Sequence, residues 1–103
     1  MSQRSESEEI LDRIQNQKGV TGLIVVNPEG VPVRSSMDNG TTQQYIALSK
    51  TMAKLARGLV RDVDPMNDLQ FLRIKTRRSE IMIAPEVQSK DKVSYLIVVQ
   101  NED

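Results

Sequence analysis

The residues best placed to do chemistry in this sequence are oxygen donors. Asp62, Asp64, Asn67 and Asp68 fall within seven consecutive positions, and a loop rich in carboxylate and amide oxygens is a usual setting for calcium. The run departs from the EF-hand pattern at each decisive point: Pro65 follows the second acid, no glycine makes the bend, and Arg73 stands where the bidentate glutamate belongs. The same residue types are what a helix C-terminus and its following turn require, because short polar side chains bond to neighbouring backbone amides. That second reading is preferred. Composition removes most other chemistry, since the chain has neither histidine nor cysteine and so lacks an imidazole base or ligand and a thiolate nucleophile. A P-loop sequence is also missing. The expectation is a protein that is not an enzyme and has no catalytic residues, metal site or cofactor.

A second set is cationic. Lys50, Lys54, Arg57 and Arg61 recur at helical spacing, and with Arg77 and Arg78 they raise the question of RNA. Against it, fourteen basic and fourteen acidic residues cancel, tryptophan is absent, and Phe71, Tyr45 and Tyr95 are the only aromatic side chains. The row is read as a solvated helix face, with no nucleic acid partner. No apolar run approaches the roughly 20 residues that span a bilayer, and the polar N-terminal "MSQRSESEE" is not a signal or transit peptide. The expectations are no membrane insertion, an intracellular protein, and a partner that is itself a protein.

The elements that would carry these residues can be read from periodicity. With 103 residues the chain makes one domain, 1–103, with residues 1–7 flexible. A short helix is expected over 8–18, with Ser5 and Glu8 at capping-box spacing, Ile10, Leu11 and Ile14 on one stripe, and Gly19 as the stop. "TGLIVV" (21–26) is apolar on both faces and reads as a central strand. "NPEG" turns the chain back into "VPVRSS", an edge or bulged strand because Pro32 has no amide to donate. A long helix follows over 41–63, opened by Thr41 and Gln44. Three strands complete the chain: "LQFLRIK" (69–75) at an edge, with Leu69, Phe71, Arg73 and Lys75 on one face, then "EIMIAP" (80–85), then "VSYLIVVQ" (93–100), again apolar on both faces. The order α-β-β-α-β-β-β gives an α+β fold: a five-stranded antiparallel sheet with the long helix on one face and the short helix on the other.

Two surpluses follow. Apolar residues of the long helix, ordered from Leu55, Leu48 and Leu59 round to Val60, Ala53 and Ile46, cover about half its circumference, more than one sheet contact needs. The edge carrying Ile46, Ala53 and Val60 is therefore expected to meet another surface, the alternative being a deeply nested core helix. The short helix spans about 10 Å while five strands span about twice that. A groove should remain beside Ile10 and Ile14, wide enough for a partner helix.

The blocks "GVTGLIVVNPEGVPVRSSMDN", "VRDVDPMNDLQFLRIKTRRSEIMIAP" and "YLIVVQ" resemble the roadblock family of dynein light chains in order and spacing, over nearly everything after Glu8. The resemblance implies the roadblock fold and a homodimer in which the long helices pack together and the third strands, with Leu69, Phe71 and Arg73, join into one sheet. It further implies that the dimer binds the dynein intermediate chain, placed here in the groove at Ile10 and Ile14. That would couple the chain to the dynein heavy chain, microtubules and cargo, in the cytoplasm and cytoskeleton or the axoneme of a cilium or flagellum. Related members with an additional C-terminal helix are scaffolds or regulators of small GTPases. Here the sequence stops three residues after the last strand, which favours the motor role.

Overall fold

A computed structural model describes the backbone of residues 6–89 and 92–101 and the side chains of 8–85 and 95–101. The chain runs α1 (Glu6–Gln15), β1 (Val20–Val26), β2 (Pro32–Ser35), α2 (Asn39–Val63), β3 (Leu72–Lys75), β4 (Ser79–Ser89) and β5 (Lys92–Asn101). All neighbouring strands are antiparallel, in the spatial order β2-β1-β5-β4-β3. The two strands apolar on both faces, β1 and β5, lie side by side in the middle, and the strands carrying Pro32 and Arg73 form the edges. Pro32 also sits at a register shift of the β1–β2 ladder, where its missing donor costs nothing.

Local chemistry sets the boundaries. At the β1–β2 turn the Asn27 side chain accepts from the amides of Glu29 and Val31, and Gly30 takes the positive φ of 84° that the turn requires. The long helix starts earlier than Thr41. Its N-cap is Asp38, whose Oδ1 accepts from the Thr41 amide at 2.8 Å, so a carboxylate replaces the Thr41–Gln44 box at the positive end of the helix dipole. The Thr41 amide, followed by its hydroxyl, holds the Asp38 carboxyl below its ordinary value of 3.8. Ser5 lies outside the described residues, so the capping box expected there does too; the helix itself runs from Glu6 rather than Glu8 and ends at Gln15, three residues short of the expected Lys18.

The third strand is shorter than its sequence pattern, 72–75 rather than 69–75. The cause lies just before it, where Asn67 Oδ1 accepts from the Asp68 amide and Asp68 Oδ1 from the Leu69 amide. Of the 69–71 stretch, this takes the Leu69 amide that a ladder would use.

The core lies between the sheet and α2. Ile24, Ile83 and Ile97, directly paired across three strands, are fully buried, with Val26, Ile81 and Val99 beside them. From the helix come Thr42, Ile46, Ser49 and Ala53. Small side chains on the helix opposite large ones on the sheet let the two layers interdigitate. Gly22 belongs to the same fit, since a Cβ there would meet Met37 Sδ at 2.6 Å. Buried Thr42 is satisfied by the Ser35 hydroxyl at 2.7 Å and the Met37 carbonyl. Ser49 is 1 % exposed and its hydroxyl has no hydrogen-bond partner. Such a group carries a desolvation cost without return. Ser49→Ala is therefore expected to stabilise the fold by about 1 kcal/mol, read as a higher denaturant midpoint at unchanged slope. A lower midpoint would mean that the hydroxyl is bonded after all.

Candidate functional site

Asp64, Asn67 and Asp68 of the acidic run are taken up by local structure. Asp64 caps the end of α2 and its Oδ1 accepts from the Met66 amide, while Asp68 takes both Arg57 Nε and Nη2 at 2.8 and 2.9 Å. The Leu69 amide, then the Arg57 guanidinium, keep the Asp68 carboxyl below its ordinary range. These oxygens act as caps and as an ion pair, the work that turn residues ordinarily do.

What the fold leaves exposed is apolar. Along α2, Leu48, Leu55, Leu59 and Val63 form one stripe, 42, 61, 68 and 88 % exposed. At about 100° per residue they fall within one narrow sector. Leu48 and Tyr45 close a cleft of about 340 Å³ over Ile81 of β4, which puts the Leu48 end of the stripe beside that strand. Beyond it lies the free edge of β3, and Phe71, half exposed, immediately precedes that strand.

This corrects the sequence-based surface. Ile46 and Ala53 do not form an outward edge: they are 5 and 3 % exposed, packed against the sheet, and Val60 is half-buried beside them. The apolar arc was read with the right width and the wrong phase. Thr42, Ser49 and Ala53, small residues at i, i+7 and i+11, mark the stripe that can approach a sheet closely, and that signal would have turned the leucines outward. Of the strand residues, Leu69 is half-buried and lies with Phe71 outside β3, whereas Arg73 is on the edge strand and paired with Glu80 at 2.7 Å.

The opposite face of the sheet carries α1. Its seat is fixed by Arg34 of β2, whose guanidinium donates to Asp12 at 2.6 Å and Gln15 at 2.8 Å. This clamp joins residues far apart in sequence and no local pattern announces it. It holds α1 over the β1 side, where Leu23 and Val98 are buried. Further across the same face, Leu96, Ala84 and Met82 are only half-buried, although Ile97 and Ile83 between them are sealed on the other side. Ile14 is half-buried and Ile10 is 52 % exposed. The structure therefore provides a partly bare apolar strip beside the short helix.

The cationic row lines a third surface. Lys50, Lys54, Arg57 and Arg61 border a groove of about 530 Å³ closed on its other side by Pro85 and Tyr95. Lys50 reaches over the β1–β2 turn, its Nζ 3.2 Å from where a Cβ on Gly30 would lie. No group of three or more histidine, cysteine or acidic side chains suited to a metal occurs among the described residues. No helix among them is long and apolar enough to cross a membrane.

The family model of the Roadblock/LC7 domain matches residues 6–101. Among solved structures, the fold is similar to the Roadblock/LC7 domain from Streptomyces avermitilis, with a TM-score of 0.75 at 12% identity, over 94% of this chain and 79% of that one. It is also similar to Myxococcus xanthus MglB, with a TM-score of 0.67 at 12% identity over 99% and 77% of the two chains. An MglB structure with a tetrameric arrangement gives a TM-score of 0.71 at 11% identity over 92% and 70%.

Proposed function

The chain belongs to the Roadblock/LC7 domain family, and from that premise we propose that it works without catalysis, as a homodimeric adaptor that holds a helix of a larger protein. The observation that carries this reading is the exposed leucine stripe of α2 in a chain that also leaves the edge of β3 unpaired. Joining two copies there would pair the strand edges and cover both stripes. An interface of this kind buries on the order of 1,600 Å², the size of a stable specific complex. The tetrameric arrangement of one structural relative is in keeping with self-association.

The guest is placed on the other sheet face, over Leu96, Ala84 and Met82 beside α1. A helix docking there needs apolar residues at i, i+3, i+4 and i+7 to present a continuous stripe. The resemblance of the sequence to the roadblock light chains makes the dynein intermediate chain the guest of choice. The protein's role is then to fasten that chain within a microtubule motor, in the cytoplasm or an axoneme.

Titration calorimetry with an intermediate-chain segment of this pattern tests the assignment. Ile10→Lys, at a position half exposed in the monomer, should weaken binding by about 1 to 3 kcal/mol through lost apolar burial and the desolvation of an ammonium, with the mass of the dimer unchanged. Equal affinity in the variant would move the site. Binding of a small GTPase that changes between its GDP and GTP forms, with no intermediate-chain binding, would assign the chain to GTPase scaffolding instead.

A further inference from the structure

We propose that the groove between the cationic row of α2 and the β4–β5 side of the sheet is a docking site for an extended acidic segment of a partner protein. The row is long, because Lys50, Lys54, Arg57 and Arg61 span eleven residues of helix, about 16 Å. Among the described residues it is also under-neutralised. Arg57 is engaged by Asp68, which Arg61 also approaches, while Lys50 and Lys54 make no ion pair among the described residues. In a chain whose charges cancel overall, a local surplus of this kind attracts an anion at short range without collecting anions generally.

The far wall has the opposite character, with Pro85 and Tyr95 facing the cations across about 530 Å³. In an extended peptide, successive side chains point to opposite sides and like side chains recur at about 6.7 Å. Successive cations along the helix are separated by about 4.5 to 6 Å, within reach of that repeat for long flexible side chains. A segment alternating acidic and apolar residues therefore matches both walls at once. A nucleic acid matches one only: its phosphates would suit the row, but the other wall offers a single aromatic ring, and the neutral chain supplies no long-range field to gather it.

Gly58 supplies a second, independent observation. It lies inside α2, five residues before its end, lines the groove, and has nothing within 4 Å of where a Cβ would be. Its φ is not positive, so the backbone does not need it, and glycine weakens a helix interior relative to alanine. A glycine at such a position keeps the groove wall low, which lets a peptide backbone lie close to the helix. The groove is on the flank of α2 away from the leucine stripe, so the site is available whether the protein is a monomer or a dimer.

Fluorescence anisotropy on the full chain tests this with a labelled peptide of alternating glutamate and valine, carrying as many glutamates as the groove has cations. A glutamine version of the peptide and a labelled decathymidylate serve as comparisons. The glutamate peptide is expected to bind at least about tenfold more tightly than the glutamine one and to weaken severalfold as salt rises from about 50 to 200 mM. Lys50→Glu with Lys54→Glu should cost about tenfold or more. Gly58→Leu, which changes no charge and favours the helix, should cost a similar factor by filling the groove, with its melting temperature no lower than wild type. Glutamate and glutamine peptides binding within about twofold of each other, Gly58→Leu binding like wild type, or decathymidylate binding more tightly than the glutamate peptide would each overturn the proposal.

Discussion

Leu55→Asp is expected to turn a dimer into a monomer without unfolding it. Leu55 is 61 % exposed in the single chain, so an aspartate there meets water and costs the monomer little. In the proposed interface the same carboxylate would be buried against the partner's apolar stripe without a counter-charge. Removing an unpaired charge from water costs several kcal/mol; at about 4 kcal/mol the dimer weakens close to a thousandfold. Light scattering after gel filtration should show the lower mass for Leu55→Asp and the wild-type mass for Lys54→Ala, on the cationic flank of the same helix. Equal masses for the two variants would remove the leucine stripe from the interface.

Ile83→Ala addresses the other large effect, the strength of the core. Ile83 has no exposed surface, pairs with Ile97 and Leu72 on its flanking strands, and lies beneath α2. Truncation loses its apolar burial and leaves a cavity that a sheet hydrogen-bonded on both sides relaxes poorly to fill, so a loss of about 3 to 4 kcal/mol is expected. That is a large share of the 5 to 15 kcal/mol typical of a domain, and a drop in Tm of roughly 15 °C or more should accompany it. Val33→Ala on the edge strand, 61 % exposed, should cost under about 0.5 kcal/mol. The comparison must be made at one protein concentration, because dimerisation adds stability by mass action. A loss below about 1 kcal/mol for Ile83→Ala would mean that the sheet and α2 are not packed as described.

These two residues also show what periodicity can and cannot reveal. Ile83 was legible only as part of a strand expected over 80–85, whereas the doubly apolar β1 and β5 took their expected central places and the Pro32 and Arg73 strands their expected edges. Leu55 was legible only as part of an arc. The width of an apolar arc says how much surface a helix buries, but not which side meets the sheet and which remains for a partner. That choice depends on side-chain size against the facing layer, and Ser49 and Ala53 won the sheet contact because they are small. The start of β3 escaped for a different reason. Its apolar positions change phase between Phe71 and Leu72, where β3 begins, and side-chain bonds from Asn67 and Asp68 to the next amides occupy donors just before it, a competition of which a hydrophobic pattern carries no record. The Arg34 clamp on α1 is long-range in sequence and was invisible to any local reading.

Self-association is the centre of the account, since the leucine stripe and the free β3 edge are both explained by it. Sedimentation equilibrium of the unmodified chain tests it most directly. At low micromolar concentration the account predicts a single species of twice the 11.6 kDa chain mass, in line with the burial expected of a standard interface. A species of 11.6 kDa alone, across the same range, would contradict it.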